Sequence, residues 1–225
     1  MQNYHKLYTP GDSVVVFIDH QPQMTFGVAS IDRATLVNNV TSLAKAAKEF
    51  DVPAILTAVN AESFDGRIWP QLLDVFPRRP VIERTSMNAW DDTGFRLAVE
   101  ATRRTNIIMA GLWTEVCVAW PAIEMLGAGY TVYVVEDCCG ATSPAAHAAA
   151  LSRMVQAGAI RTTTVGALLE WQRDWARREH RDNLMEILET RTGVYGIGAE
   201  CARATVHRAP QPAAKPRVAP GGAGR

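Results

Sequence analysis

The chain has 225 residues, 48% of them hydrophobic and 20% charged, which suits one large domain able to bury a sizeable core. Lysine plus arginine and aspartate plus glutamate both number 23, so there is no electrostatic footprint for nucleic acid or an anionic membrane, and a small neutral or weakly charged substrate fits better. No stretch reaches the length of a membrane span, and MQNYHKLYTPGDS lacks a basic segment followed by an apolar one, so a cytoplasmic protein is expected.

After the turn signal Pro10-Gly11, residues 13–19 (SVVVFID) form a continuous β-branched and aromatic run, read as a buried first strand ending on Asp19. A carboxylate there is either a site residue or a helix cap, because the carboxyl ends of parallel strands line the ligand crevice. Leu36, Val37, Val40, Leu43, Ala44, Ala47 and Phe50 recur at helical spacing, which predicts a crossover helix. PAILTAV at 53–59 reads as strand two. The loop NAESFDGRIWP leads to a short helical turn at 72–76, and PVIER at 80–84 reads as a strand ending on Arg84. A helix carrying Phe95, Leu97 and Ala98 follows.

The segment 105–121, TNIIMAGLWTEVCVAWP, organises the rest of the chain. Ile107 to Ala110 predict a strand buried on both faces and closed by Gly111. Thr114 is read as the N-cap of the next helix, with Glu115 complementing its dipole and Cys117 in its first turn. Amides of that turn have no intrahelical partner, so they can lower a thiol pKa and hold an oxyanion beside the sulfur. A lone cysteine is more often a small buried apolar residue, and only the other strand ends shift that balance. Pro121 is expected to make the helix irregular near Cys117.

YTVYVVE at 130–136 is read as a strand ending at Asp137, which can cap the next turn. A helix from Pro144 and a short strand at 160–165 follow. Leu168, Leu169, Trp171 and Trp175 mark a further helix. Residues around Leu184 to Leu188 form an amphipathic arm that packs on this domain or on a neighbouring subunit. Residues 1–190 are thus taken as the domain, 191–202 as an extension, and 203–225, basic and rich in Ala, Pro and Gly, as disordered.

The alternation of strand and helix predicts an α/β fold, a doubly wound parallel sheet with helices on both faces. No dinucleotide or P-loop fingerprint follows a strand, so no cofactor is expected. The histidines show no ligand spacing, and Cys138, Cys139 and Cys201 are taken as reduced structural or surface thiols, so the site is expected to be metal-free. The crevice then gathers Asp19, Arg84 and Cys117: an acid to take and return a proton, a fixed cation, and a nucleophile.

At these residues the sequence resembles the isochorismatase-like cysteine hydrolases, which include nicotinamidases and N-carbamoylsarcosine amidohydrolase. The segments VVVFIDHQ, NAWDD and AGLWTEVCVAWPA are most similar to the bacterial YcaC-type branch. The likeness covers about residues 8–190. It implies a three-layer α/β/α fold on a six-stranded parallel sheet and an Asp/Lys/Cys triad in which Asp19 is the acid and Cys117 the nucleophile. It further implies a cis peptide at Leu112-Trp113, an oxyanion hole from the Trp113 and Cys117 amides, and a ring-like homo-oligomer for which an octamer is the expected size. The family lysine is replaced here by Arg84, which stays protonated and leaves Asp19 alone to carry protons. Gln21, Asn88 and Trp90 are expected to line the pocket, the amides orienting a substrate and the indole stacking on it.

The expected activity is hydrolysis of a C–N bond in a small amide or carbamoyl compound through a covalent Cys117 intermediate. The alternative is a ligand-binding or structural oligomer of the same fold with weakened turnover, which Arg84 invites; a redox-sensing thiol at Cys117 is a third reading.

Overall fold

The computed structural model describes residues 7–62 and 65–206. Six parallel strands form one sheet in the order β3-β2-β1-β4-β5-β6: β1 (Ser13–Ile18), β2 (Ala54–Val59), β3 (Val81–Arg84), β4 (Asn106–Leu112), β5 (Thr131–Gly140) and β6 (Ile160–Thr162). Helices α2 (Arg33–Glu49), α7 (Thr164–Gln172) and α8 (Arg181–Arg191) pack together on one face, with α3 (Pro70–Val75) against α2. The other face carries α4 (Thr93–Ala101), α5 (Ala119–Gly127) and α6 (Pro144–Ala157). The short α1 (Pro22–Phe26) follows β1, and α9 (Val194–Val206) packs on α8. The chain thus has the expected three-layer α/β/α architecture.

Every residue of β1 and β2 is buried, as is all of β4 after Asn106. That is why these strands read as unbroken apolar runs with no alternation. The strand order reverses between β1 and β4, and at such a switch point the two following loops diverge and leave a crevice at the carboxyl ends. Asp19 leaves β1 and Cys117 follows β4, so the fold sets both at this point.

Several expectations are corrected. Gly111 does not close β4, which runs to Leu112. A Cβ on Gly111 would lie 2.8 Å from the Ile18 carbonyl oxygen and 2.9 Å from Val118 Cγ2, so glycine lets β1 and the turn carrying Cys117 close on β4 from both sides. Gly111→Ala is accordingly expected to cost about 1–3 kcal/mol through overpacking, read as a fall in midpoint in thermal or urea denaturation. β5 continues past Asp137 to Gly140, and between the pairs Met109–Val134 and Gly111–Cys139 four residues of β5 oppose the single Ala110, a bulge that places Glu136 and Asp137 off the ladder. Asp137 accepts from the Thr164 amide at 2.7 Å, so it caps the start of α7 and not the next turn. Residues 203–206 belong to α9, and 207–225, the rest of the proposed disordered tail, lie outside the described residues.

Candidate active site

Asp19 takes a positive φ of 54°, and its amide is tied to the Thr57 carbonyl at 2.9 Å. Arg84 is the last residue of β3, two strands away, across a span that only a long side chain bridges at about 4.8 Å per strand. Its Nη2 donates to both Asp19 carboxylate oxygens, each at 2.7 Å, and both side chains are fully buried. Nη1 donates to the Ser86 carbonyl and, at 3.4 Å, to that of Met87, whereas Nε is buried with no partner among the described residues. One guanidinium thus fixes the acid and the loop after β3.

Cys117 sits in a single π-helical turn, Thr114–Val118, between β4 and α5, and is 3% exposed. The turn begins after Trp113, whose carbonyl accepts from the amides of Val116 and Val118, and the Leu112-Trp113 peptide bond is cis. The widened turn is where the expected irregularity falls, ahead of Pro121 and not at it. Thr114 is no N-cap: its hydroxyl meets His147 Nδ1 at 2.9 Å. Glu115 does not serve the helix dipole alone, since Oε1 accepts from the Thr142 amide at 3.0 Å and hydroxyl at 2.6 Å.

The thiol hydrogen-bonds the Asp19 carboxylate, and the Trp113 backbone amide reaches the sulfur. Burial, and then the adjacent Asp19 charge, push the Cys117 thiol well above its ordinary pKa, against the pull of Arg84 and the Trp113 amide. The expected lowering by a backbone amide is present at Trp113, but burial outweighs it. Burial also raises Asp19, with Arg84 opposing most strongly and Asp65 adding to the rise. Asp65, a charge that feels Asp19, has no local sequence signature and escaped the reading of the chain.

The flanking residues are placed differently from expectation. Gln21 is fully buried and spends its amide on backbone: Nε2 donates to the carbonyls of Val59 (2.9 Å) and Gly66 (2.5 Å), and Oε1 accepts from the Val59 amide at 3.0 Å. It holds the loop after β2 in place of a substrate. Asn88 caps a 3-10 turn through the Trp90 amide at 3.0 Å and donates to Glu124 at 2.9 Å. It does contribute to a cavity of about 310 Å³ shared with Asp91, Trp120, Glu124 and Arg153. The Trp90 indole packs edge-on against Tyr130 and Phe95, at centroid distances of 5.6 and 6.3 Å, a core role. Trp113 is pinned by backbone, its Nε1 donating to the Met24 carbonyl at 2.8 Å and its ring lying over Gly27, where a Cβ would be 2.6 Å from Cζ2.

His20, next to Asp19, is fully buried between Phe17 and Trp69. Neither ring nitrogen makes a well-formed hydrogen bond, and the Cys138 backbone only partly offsets the burial that holds its pKa at about 3. It stays neutral and is no partner for the thiol. Cys138 and Cys139 are fully buried, and burial pushes Cys139 up to about 12 and Cys138 well above its usual value, so both are inert; Cys201 is exposed. A larger cavity of about 570 Å³, between α2, α3 and α8, is lined by Lys45, Lys48, Asp74 and Arg191, with no cysteine or histidine in its lining. No group of three or more His, Cys, Asp or Glu is placed to hold a metal ion among the described residues. Nor is any helix among them long and apolar enough to cross a membrane.

A parallel α/β sheet with an acid, a cation and a thiol at its switch point defines a class, and residues 13–165 match the isochorismatase domain. The chain belongs to the isochorismatase family of hydrolases. It is 39% identical over 165 residues to the probable hydrolase YcaC of Escherichia coli, covering 73% of this chain and 79% of that protein. Among solved structures it is similar to YcaC from Pseudomonas aeruginosa with hexane-2,5-diol and covalent acrylamide (TM-score 0.84, 34% identity, 88% of this chain and 97% of that one). It is also similar to the E. coli YcaC structure, described as an octameric hydrolase of unknown specificity (TM-score 0.85, 33% identity, 92% and 100%).

Proposed function

We propose that this protein hydrolyses a C–N bond of a small amide or carbamoyl compound, with Cys117 as nucleophile and Asp19 as the group that moves the proton. The observation that carries the reading is the thiol bonded to a buried carboxylate whose charge Arg84 holds in place. As the sulfur attacks the carbonyl carbon, its proton passes to Asp19, and the oxyanion takes the amides of Trp113 and Cys117. Collapse breaks the C–N bond while Asp19 returns the proton to the leaving nitrogen. Water, deprotonated by Asp19, then cleaves the thioester, releasing the acid and restoring the thiol. The guanidinium gives up no proton in this sequence and serves as a fixed charge. The covalent acrylamide on the P. aeruginosa protein supports an accessible nucleophile on this fold.

The test is intact mass and peptide mapping after exposure to a panel of small amides and to acrylamide: an adduct on Cys117 is expected, and labelling confined to other cysteines would overturn the reading. The rate should fall on acidification as Asp19 takes its proton. Because burial raises Asp19, that fall should come above the usual carboxylate value of about 4. Removing the opposing cation in Arg84→Met should move it to still higher pH in a stopped-time labelling series.

A second reading, a ligand-binding or structural oligomer without turnover, is favoured by Arg84 alone. It would be supported if neither the unaltered chain nor Arg84→Lys turned over any amide in the panel. We also propose assembly into a homo-oligomer, with an octamer expected from the E. coli relative and with exposed Phe26, Met87 and Trp120 as apolar surface to be covered. Sedimentation at micromolar concentration should show a species far larger than 24.6 kDa, and a monomer alone would refute this.

A further inference from the structure

The nucleophile turn is fastened from outside the site. Thr114, its first residue, is fully buried, and the one partner of its hydroxyl among the described residues is His147 Nδ1, on the first half of α6. A π-helical turn closes wider rings than an α-helix and lacks its regular ladder, so its placement depends on such ties more than a continuous helix would. The neighbouring tie, Glu115 to Thr142, reaches the loop just before α6, so both fastenings run to one short stretch of chain.

We propose that His147 is a positioning residue for the reaction: through Thr114 it holds the turn that aims the Cys117 sulfur at Asp19 and at the incoming carbonyl. This rests on Cys117 being the nucleophile. His147 touches neither the sulfur nor the acid. Burial lowers its pKa, with Arg161 adding to the effect and Glu136 and Glu115 opposing it, so the ring is neutral at pH 7. A neutral ring can accept the Thr114 hydroxyl proton at Nδ1 while Nε2 carries its own. Without the imidazole the buried hydroxyl loses its partner and the turn loses its lateral tie. A shift of about 1 Å at the sulfur is enough to slow attack on the order of a hundredfold.

The experiment measures the acrylamide labelling rate of Cys117 by peptide mass in the full-length chain, below the unfolding transition of each variant. The background is Cys201→Ser, because Cys201 is exposed and would react in parallel. His147→Ala and Thr114→Val are each expected to slow labelling roughly tenfold to a hundredfold, and the double variant no more than the slower single one, since both remove the same bond. His147→Asn places an amide where Nδ1 stood and should restore most of the rate, which a merely space-filling role would not predict. Unchanged rates, additive losses in the double variant, or failure of asparagine to rescue would each overturn the proposal. Should His147→Ala not fold, Thr114→Val and His147→Asn still decide it, by slowed and near-normal labelling respectively. Absence of Cys117 labelling in the background chain would remove the nucleophile reading beneath the proposal and the proposal with it.

Discussion

On the proposed mechanism, replacing Cys117 with alanine is expected to abolish the acrylamide adduct at that position and to lower amide turnover by at least about 10⁴-fold, because the covalent path would be gone and only weak binding and polarisation would remain. The exchange is expected to cost the fold little: the side chain is small and 3% exposed, and the hydrogen bond it removes is from a carboxylate that Arg84 still holds at both oxygens. Thermal midpoint and activity should therefore separate, the first changing little and the second collapsing. Cys117→Ser sharpens the comparison, since a hydroxyl keeps the bond to Asp19 yet ionises far less readily. Turnover in the serine variant close to that of the unaltered chain would show that the sulfur is not the attacking atom.

The second large effect is on stability. Asp19→Asn keeps the shape of the acid but leaves the Arg84 guanidinium buried with no counter-charge and with Nε already lacking a partner among the described residues. Breaking one side of a buried pair costs about 3–5 kcal/mol, which for a domain of this size lowers the thermal midpoint on the order of 10 °C. The double variant Asp19→Asn with Arg84→Met should recover part of that loss, because no charge is then left unpaired. Such a cycle separates the electrostatic role of Arg84 from its hold on the Ser86 and Met87 carbonyls, which methionine cannot replace. Equal destabilisation in the single and double variants would place the cost in that loop.

The strands that position the site were legible because burial on both faces leaves an unmistakable trace: VVVFI, AILTAV and IIMA contain no polar residue except Thr57. Asp19 and Arg84 were legible as strand-end residues and Cys117 as a residue of the turn after a strand, and the structure brings the three side chains together. What escaped depends on partners far along the chain. Gln21 is polar and adjacent to the acid, which suggests a substrate contact, yet its amide is consumed by Val59 and Gly66, some 40 residues away. Trp90 has the same indole whether it stacks on a ligand or on Tyr130. The π-helical turn leaves no trace in TEVCV, since nothing in the residue order separates it from an α-helical start. Helix α9 was missed because its glycines argue against a helix unless α8 supports it. The histidine that holds Thr114 lies in an alanine-rich helix and looks like any solvated polar position.

Gly27 is far from Cys117 in sequence and has no functional group, yet the indole of Trp113 rests against it while the amide of the same residue reaches the Cys117 sulfur. Any side chain at position 27 would have to push that ring aside, and the push would arrive at the Cys117 sulfur through one shared residue. The tolerance of this enzyme family member to change at an inert loop position is thus set by chemistry, and a catalogue of tolerated substitutions would mark residue 27 as if it were catalytic.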